Sequence, residues 1–351
     1  MSHLTYLEAS VVGLIQGVTE LFPVSSLGHN VLIPALIGGS WANDLSVARP
    51  ESPYLAFIVG LHVATAIALL IYFWRDWIRI IKGFFSSVRH FRVETTDQRL
   101  AWMIILATIP VGLVGLFFEH DFRVLFGKPI RAAIFLAVNG VILFAGEKFR
   151  TRKSLRADQE LAELREREAS EAELGAAARS GGSRAAGSRA AEPRAAAPHA
   201  AGSHASGQRA ARQLELSQAM QADERLSAAG FLQAVVIGSA QVLALLAGIS
   251  RDGVTMVAGM ARGLSREDAA RFAFLLATPV ILAAGVLKYG DLIQKGHGIY
   301  GPILVGSILS GLGAYVSVRF LVKYFQTRTL TPFAIYCVLF GVGSIIYLSV
   351  K

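Results

Sequence analysis

The chain has 351 residues, 53% of them apolar and only 17% charged, with a mean hydropathy of +0.49. Soluble domains carry roughly 25% charged residues, so a disordered chain, a collagen-like chain and an ordinary cytosolic enzyme are excluded. The net charge of +9, in a chain this apolar, reads as basic loops on the inner side of a membrane rather than as a nucleic-acid surface.

In chain order, the first apolar region runs over 7–22 and is interrupted by Pro23-Val24-Ser25-Ser26-Leu27-Gly28-His29, after which apolar character resumes to Ile37. The piece 27–37 is about half the thickness of a hydrocarbon core. A half-length helix ending at a polar break predicts a re-entrant pair over 7–37, because irregular backbone at that depth must be satisfied by protein or a water-filled cavity. No signal peptide is expected, since the first six residues lack a basic n-region and no small-residue cleavage site follows. Stretches free of Asp, Glu, Lys and Arg predict spans at 54–74, 101–118 and 132–146. These complete a first membrane repeat, 1–146.

Residues 147–229 are different material. Between Gly175 and Arg212 there are 15 Ala, 6 Gly, 5 Ser and 6 Arg among 38 residues, with no Leu, Ile, Val or Phe. Such a tract cannot bury enough apolar surface to offset its ordering entropy, so it is expected to be a disordered cytoplasmic linker. A charged helix is expected before it over 154–174. His199 and His204 are linker residues on this view, not ligands. The second repeat, 230–351, opens with an apolar run over 231–247, interrupted by Gly248-Ile249-Ser250-Arg251-Asp252-Gly253 and resuming over 254–261. That predicts a second re-entrant pair, 231–261, followed by spans at 272–287, 302–318 and 332–350. The single cysteine, Cys337, lies in the last of these and excludes a disulfide framework or a multi-cysteine metal cluster. The expected fold is therefore an all-α, polytopic integral membrane protein with six full spans.

The two breaks resemble each other. At an offset of 225 residues Gln16 falls on Gln241, Val24 on Ile249, Ser25 on Ser250 and Gly28 on Gly253. Interrupted helices at matching positions of two halves point to a site at the repeat interface. Loops 75–100, 262–271 and 319–331 together carry 12 Lys and Arg, against 7 in the opposite loops and the C-terminal Lys351. With the richer set inside, the first break enters from outside and the second from inside. The repeats are then inverted, and both termini lie outside.

Gln16 and Glu20 share one helix face, and Ser25, Ser26 and His29 follow just beyond Pro23. Ser250 and Arg251 occupy the matching break, with Thr255 one turn on. An ionised side chain at mid-membrane costs about 2.5–3.5 kcal/mol on insertion scales, so Glu20 and Arg251 are functional candidates by default. Two serine-capped helix N-termini converging there would form a positive pocket suited to phosphate. Arg251 adds a planar fork matched to phosphate oxygens. Each residue also has a plainer role: serine and glycine often serve packing, and Arg251 with Asp252 could be a loop ion pair. His62 reads as a satisfied buried histidine outside the site, and Asn139 as a hydrogen bond to a neighbouring helix.

The run Gln16-Gly17-Val18-Thr19-Glu20-Leu21-Phe22-Pro23-Val24-Ser25-Ser26-Leu27-Gly28-His29 resembles the first motif of the undecaprenyl-diphosphatase family, also called the bacitracin-resistance (BacA/UppP) family. Gly248-Ile249-Ser250-Arg251-Asp252-Gly253 is similar to its second motif, with Asp252 where the family usually has Ser. The stretch 272–279 also resembles the family helix that follows. The resemblance implies a bacterial plasma-membrane enzyme that hydrolyses undecaprenyl diphosphate to undecaprenyl phosphate and inorganic phosphate. It would thereby recycle the lipid carrier for peptidoglycan synthesis. It also implies two inverted repeats, a site open to the outer face, and a divalent cation, Mg²⁺ or Ca²⁺.

On that basis Glu20, Ser26, His29 and Arg251 are the expected catalytic residues. Ser25, Gly28, Ser250, Gly253 and Thr255 are expected to bind phosphate, and Glu20 and Gln16 to hold the metal. Ser26 activated by His29 attacks the terminal phosphorus, or water attacks with Glu20 or His29 as base. The expected partners are undecaprenyl diphosphate, membrane lipid and a second copy in a homodimer, with no nucleic acid. The rival classes are a secondary transporter or lipid flippase, since inverted repeats with broken helices also build carriers, and a membrane-embedded scaffold.

Overall fold

A computed structural model describes residues 4–45, 53–126, 128–152, 217, 219–288, 290 and 298–350. Every regular element among them is helical. The chain divides into a body formed by Met1–Lys148 with Ala222–Lys351 and a second unit, Phe149–Gln221. The charged helix expected over 154–174 and the disorder expected over 175–212 lie outside the described residues.

Helix α1 (Tyr6–Leu21) opens with a capping box. The Thr5 hydroxyl accepts from the Glu8 N–H at 3.2 Å, and the Thr5 N–H donates to Glu8 Oε2 at 2.9 Å. It ends where Pro23 excludes the helical region for the residue before it, leaving Phe22 extended at φ −66° and ψ 141°. The 12-residue α2 (Ser26–Ile37) follows, then a short α3 (Gly39–Asp44) and α4 (Pro53–Tyr72). Next come α5 (Trp74–His90), α6 (Thr96–Phe126), α7 (Pro129–Arg152) and α8 (Ala219–Ala228). Helix α9 (Phe231–Ser239) runs on as a 3-10 turn, Ala240–Leu245. After it stand α10 (Arg251–Ala261), α11 (Arg266–Leu287), α12 (Tyr300–Thr327) and α13 (Thr331–Val350).

Among the described residues, five helices are long and apolar enough to cross a membrane: Thr96–Phe118 of α6, and α7, α11, α12 and α13. Two bent pairs raise the number to as many as seven: α4 with α5, at 86°, and α8 with α9, at 97°. Five of the six expected spans fall on the five long helices. The helices overrun the predicted limits because charged residues at their ends continue the helix after the apolar run stops. The sixth, expected over 54–74, is α4, which turns sharply at Phe73 into α5. Composition alone placed a basic loop at 75–100; α5 occupies most of it.

Small residues let the helices approach closely. A side chain on Gly13 or Gly17 of α1 would run into the backbone of Gly306 or Ser310 on α12, and one on Gly238 of α9 into the backbone of Ala107 on α6. One end of the body is tied by an ionic lattice. Arg79 of α5 reaches Asp76 at 2.7 Å, Asp97 at 3.0 Å and Asp223 of α8 at 2.7 Å. Arg271 of α11 reaches Asp76 and Asp223, both at 2.9 Å. Arg266 pairs with Glu147 of α7, and Arg225 with Asp268 at 2.7 Å. The loops richest in Lys and Arg thus gather at Glu147 of α7 and Asp223 of α8, with the Leu330 N–H donating to Glu147 at 3.2 Å.

Candidate active site

Gln16 and Glu20, one turn apart on α1, both project into the buried interior, and the Gln16 Nε2 donates to Glu20 Oε2 at 2.7 Å. Where α1 stops, the chain reverses through Pro23 and Ser25. Ser25 takes φ +67°, a conformation that costs a non-glycine residue about 1–3 kcal/mol and concentrates at functional sites. Its hydroxyl accepts from the Gly28 N–H at 3.2 Å, capping α2. The matching residue of the second break, Ser250, accepts from the Gly253 N–H, also at 3.2 Å, and caps α10. The offset read from the sequence therefore coincides with the same capping hydrogen bond at both breaks, although Ser250 is extended at φ −84° where Ser25 is not.

The two tips touch. A Cβ placed on Gly28 would lie 3.0 Å from the Gly248 Cα, and one on Gly253 would lie 3.3 Å from the Pro23 Cβ. Gly248 itself has φ +112°, which glycine adopts without penalty. Asn139 of α7 fastens both strands of the junction: its Nδ2 donates to the Pro23 carbonyl at 3.0 Å, and its Oδ1 accepts from the Ser250 N–H at 3.0 Å. Across the junction Arg251 Nη2 donates to Glu20 Oε1 at 3.0 Å, while its Nε reaches Asp252 Oδ1 at 3.3 Å. The Ser26 hydroxyl donates to Glu20 Oε2.

Glu20, Ser26 and Arg251 thus meet at one point, with Gln16 behind them. His29 is close in sequence but differently engaged. Its Nδ1 donates to the Ser25 carbonyl at 2.7 Å, its Nε2 lies 2.7 Å from the Tyr336 hydroxyl, and its ring stacks with those of Tyr336 and Phe340. Both ring nitrogens are occupied away from Ser26, and the Ser26 hydroxyl donates its hydrogen bond to Glu20 rather than to His29. Thr255 donates to the Arg251 carbonyl at 2.7 Å, bonding within its own helix.

His62 belongs to the cluster. Its Nδ1 donates to the Ile58 carbonyl at 2.9 Å, which turns Nε2 toward Glu20 Oε2 at 3.4 Å and Gln16 Nε2 at 3.3 Å. A lone histidine in an apolar span was the available signal, and intramembrane ionisable residues are functional candidates. Asn30 was also missed; its Nδ2 donates to Gln16 Oε1 at 2.5 Å.

The donor set bears on a divalent cation. Gln16 commits its amide oxygen to Asn30 and turns its NH₂ to Glu20, so it offers a donor where a cation needs oxygen. Glu20 and Asp252 remain. Asp252 is buried, and its Oδ2 has no hydrogen-bond partner. No group of three His, Cys, Asp or Glu able to hold a metal occurs among the described residues. Such a site fits an ion carried mainly by phosphate oxygens, with carboxylates as auxiliary ligands, rather than one caged by protein.

Beside the cluster lies a largely apolar cavity of about 510 Å³, lined by Leu27, Val31, Ile58, His62, Leu245 and Lys288 among others. Leu27 follows Ser26 directly and His62 faces Glu20, so the cavity borders the polar junction.

The chain matches the family model described as bacitracin resistance protein BacA over residues 9–181 and 207–343. It is 54% identical over 351 residues to the undecaprenyl-diphosphatase of Mycolicibacterium paratuberculosis, covering 100% of this chain and 99% of that protein. It is 52% identical to undecaprenyl-diphosphatase 2 of Frankia alni, over 97% of each chain. At 36% identity it matches undecaprenyl-diphosphatase 2 of Chromobacterium violaceum, over 97% of this chain and 98% of that one. With both halves covered and the two motifs meeting at one junction, the chain belongs to the bacitracin resistance protein BacA family.

Proposed function

We propose that the protein hydrolyses undecaprenyl diphosphate to undecaprenyl phosphate and inorganic phosphate in the bacterial plasma membrane, returning the lipid carrier to peptidoglycan synthesis. One observation carries this beyond family membership: the Ser26 hydroxyl, the Glu20 carboxylate and the Arg251 guanidinium meet where two helix N-termini converge. A carrier needs no hydroxyl held against a carboxylate; a phosphatase does.

In this mechanism the diphosphate lies at the junction and the prenyl chain runs into the adjoining apolar cavity. Arg251 and the N–H groups of α2 and α10 hold phosphate oxygens and offset charge developing in the transition state. Ser26 Oγ attacks the terminal phosphorus and passes its proton to Glu20. The bridging P–O bond breaks, and undecaprenyl phosphate leaves. Water then displaces the serine from phosphorus, releasing inorganic phosphate and restoring the hydroxyl. His29 positions Ser25 and the strained turn. A bound divalent cation, Mg²⁺ or Ca²⁺, would neutralise phosphate charge, with Glu20 and Asp252 the residues placed to hold it.

The architecture that goes with this function is six full spans and two inverted repeats, each opening with a re-entrant pair. The site faces outward, and the ionic lattice and linker lie on the cytoplasmic side. Support comes from the matched serine caps and from the gathering of the basic loops on one face.

Phosphate release from a prenyl diphosphate by detergent-purified protein tests the proposal. Ser26→Ala is expected to lower the rate by about 10²–10⁴-fold, and rapid quenching of the parent should trap a phosphoserine. Near-normal release by Ser26→Ala would move the attack to water; no release by the parent with either cation would return the fold to the carriers.

A further inference from the structure

Helix α5 has three distinct faces. Asp76, Ile80, Gly83 and Ser87 are buried against the body. Trp74, Ile78, Ile81, Phe85 and Val88 are exposed, Phe85 to 65%. Spaced four and three residues apart, they form a single apolar stripe. Beside it, Arg75, Lys82 and Arg89 fall seven residues apart and make a basic stripe, with Lys82 and Arg89 exposed. None of the three pairs with a carboxylate among the described residues. The Arg75 guanidinium lies 5.1 Å over the Trp74 ring, a pairing suited to the headgroup level, where aromatic and cationic side chains anchor.

The setting decides what covers the apolar stripe. Helix α5 leaves the apolar α4 at an 86° bend, so with α4 across the membrane α5 runs along its surface. The apolar stripe then meets acyl chains, and the basic stripe lies at the depth of the phosphates. A second copy fits less well: isologous pairing through this face would bring each basic stripe up to its own image.

The geometry points to α5 as an interfacial helix whose Arg75, Lys82 and Arg89 bind anionic phospholipid headgroups. Each basic group near an anionic surface is worth about a fivefold gain in binding, and the gain is lost at high salt. Asp76 and Arg79, on the other side of the same helix, belong to the ionic lattice that ties α5 to α8 and α11.

The test uses the full chain in nanodiscs of phosphatidylcholine with and without phosphatidylglycerol. A nitroxide at Phe85→Cys should collide with oxygen and be shielded from an aqueous nickel chelate, whereas one at Arg89→Cys should meet the chelate. Cys337, which is buried, is spared the label. Lipid co-purified from the mixed discs should be enriched in phosphatidylglycerol at least about fivefold. The Arg75→Gln, Lys82→Gln, Arg89→Gln triple variant should bring it close to parity. Equal nickel access at both positions, unchanged enrichment in the triple variant, or a disulfide between copies through Phe85→Cys would each overturn the assignment.

Discussion

Arg251 divides its guanidinium between two carboxylates, Glu20 across the junction and Asp252 beside it. A planar fork can do this with fixed geometry; a lysine ammonium on a flexible stem cannot. Arg251→Lys is therefore expected to keep the charge, lose the orientation and lower phosphate release by about 10²-fold. The split between kcat and KM checks it. A loss confined to KM would mean that Arg251 merely attracts the substrate, whereas a matching loss in kcat places it at the transition state. Asp252 answers a question the sequence raised. Here the chain places a second buried acid on the same guanidinium, so Arg251 must loosen one carboxylate contact to receive phosphate. Asp252→Asn should raise the divalent-cation concentration needed for half-maximal phosphate release several-fold, read from initial rates against cation concentration; an unchanged requirement would remove Asp252 from the cation site.

At the scale of elements, the site is a meeting of two helix breaks, and Asn139 on α7 keeps them in register. Removing its side chain strands the buried Ser250 N–H, at about 1–3 kcal/mol for a group left unpaired, and leaves the Pro23 carbonyl only the weak 3.9 Å contact from the Cys337 thiol. Asn139→Ala is expected to lower the thermal midpoint in detergent and to reduce activity more than Asn139→Asp. Aspartate keeps the acceptor for the Ser250 N–H but loses the donor to Pro23. Equal loss in the two variants would show that the Ser250 bond contributes nothing. Helix α1 depends on the same closeness elsewhere: Gly13 and Gly17 bring its backbone onto α12, which sets the depth and rotation at which Glu20 is presented.

For the whole molecule, the ionic lattice gathers the ends of α7 and α8 and the start of α11 on one face. Helices α7 and α8 flank the segment 153–216, so a reporter placed within 153–216 and one fused after Lys351 should report opposite sides of the membrane, the first cytoplasmic and the second outside. A cytoplasmic reporter at Lys351 would contradict both the inverted repeats and the outward-facing site.

Membrane residence, the two breaks and the residue types at their tips were legible in the chain itself. Apolar run length, Pro23, the paired serines and the glycines act locally, and local chemistry is written in order along the sequence. Helix α5 escaped that reading because a half-buried amphipathic helix carries charges that end an apolar run without ending the helix. The partners of Glu20 could not be read in the same way. That Ser26 turns to Glu20 while His29 turns to Tyr336, that His62 reaches the cluster from α4, and that Asn139 clamps both tips depend on how the helices rotate and how closely they pack. Side-chain pairing across helices is settled by that packing in three dimensions, so only the tertiary structure decided it.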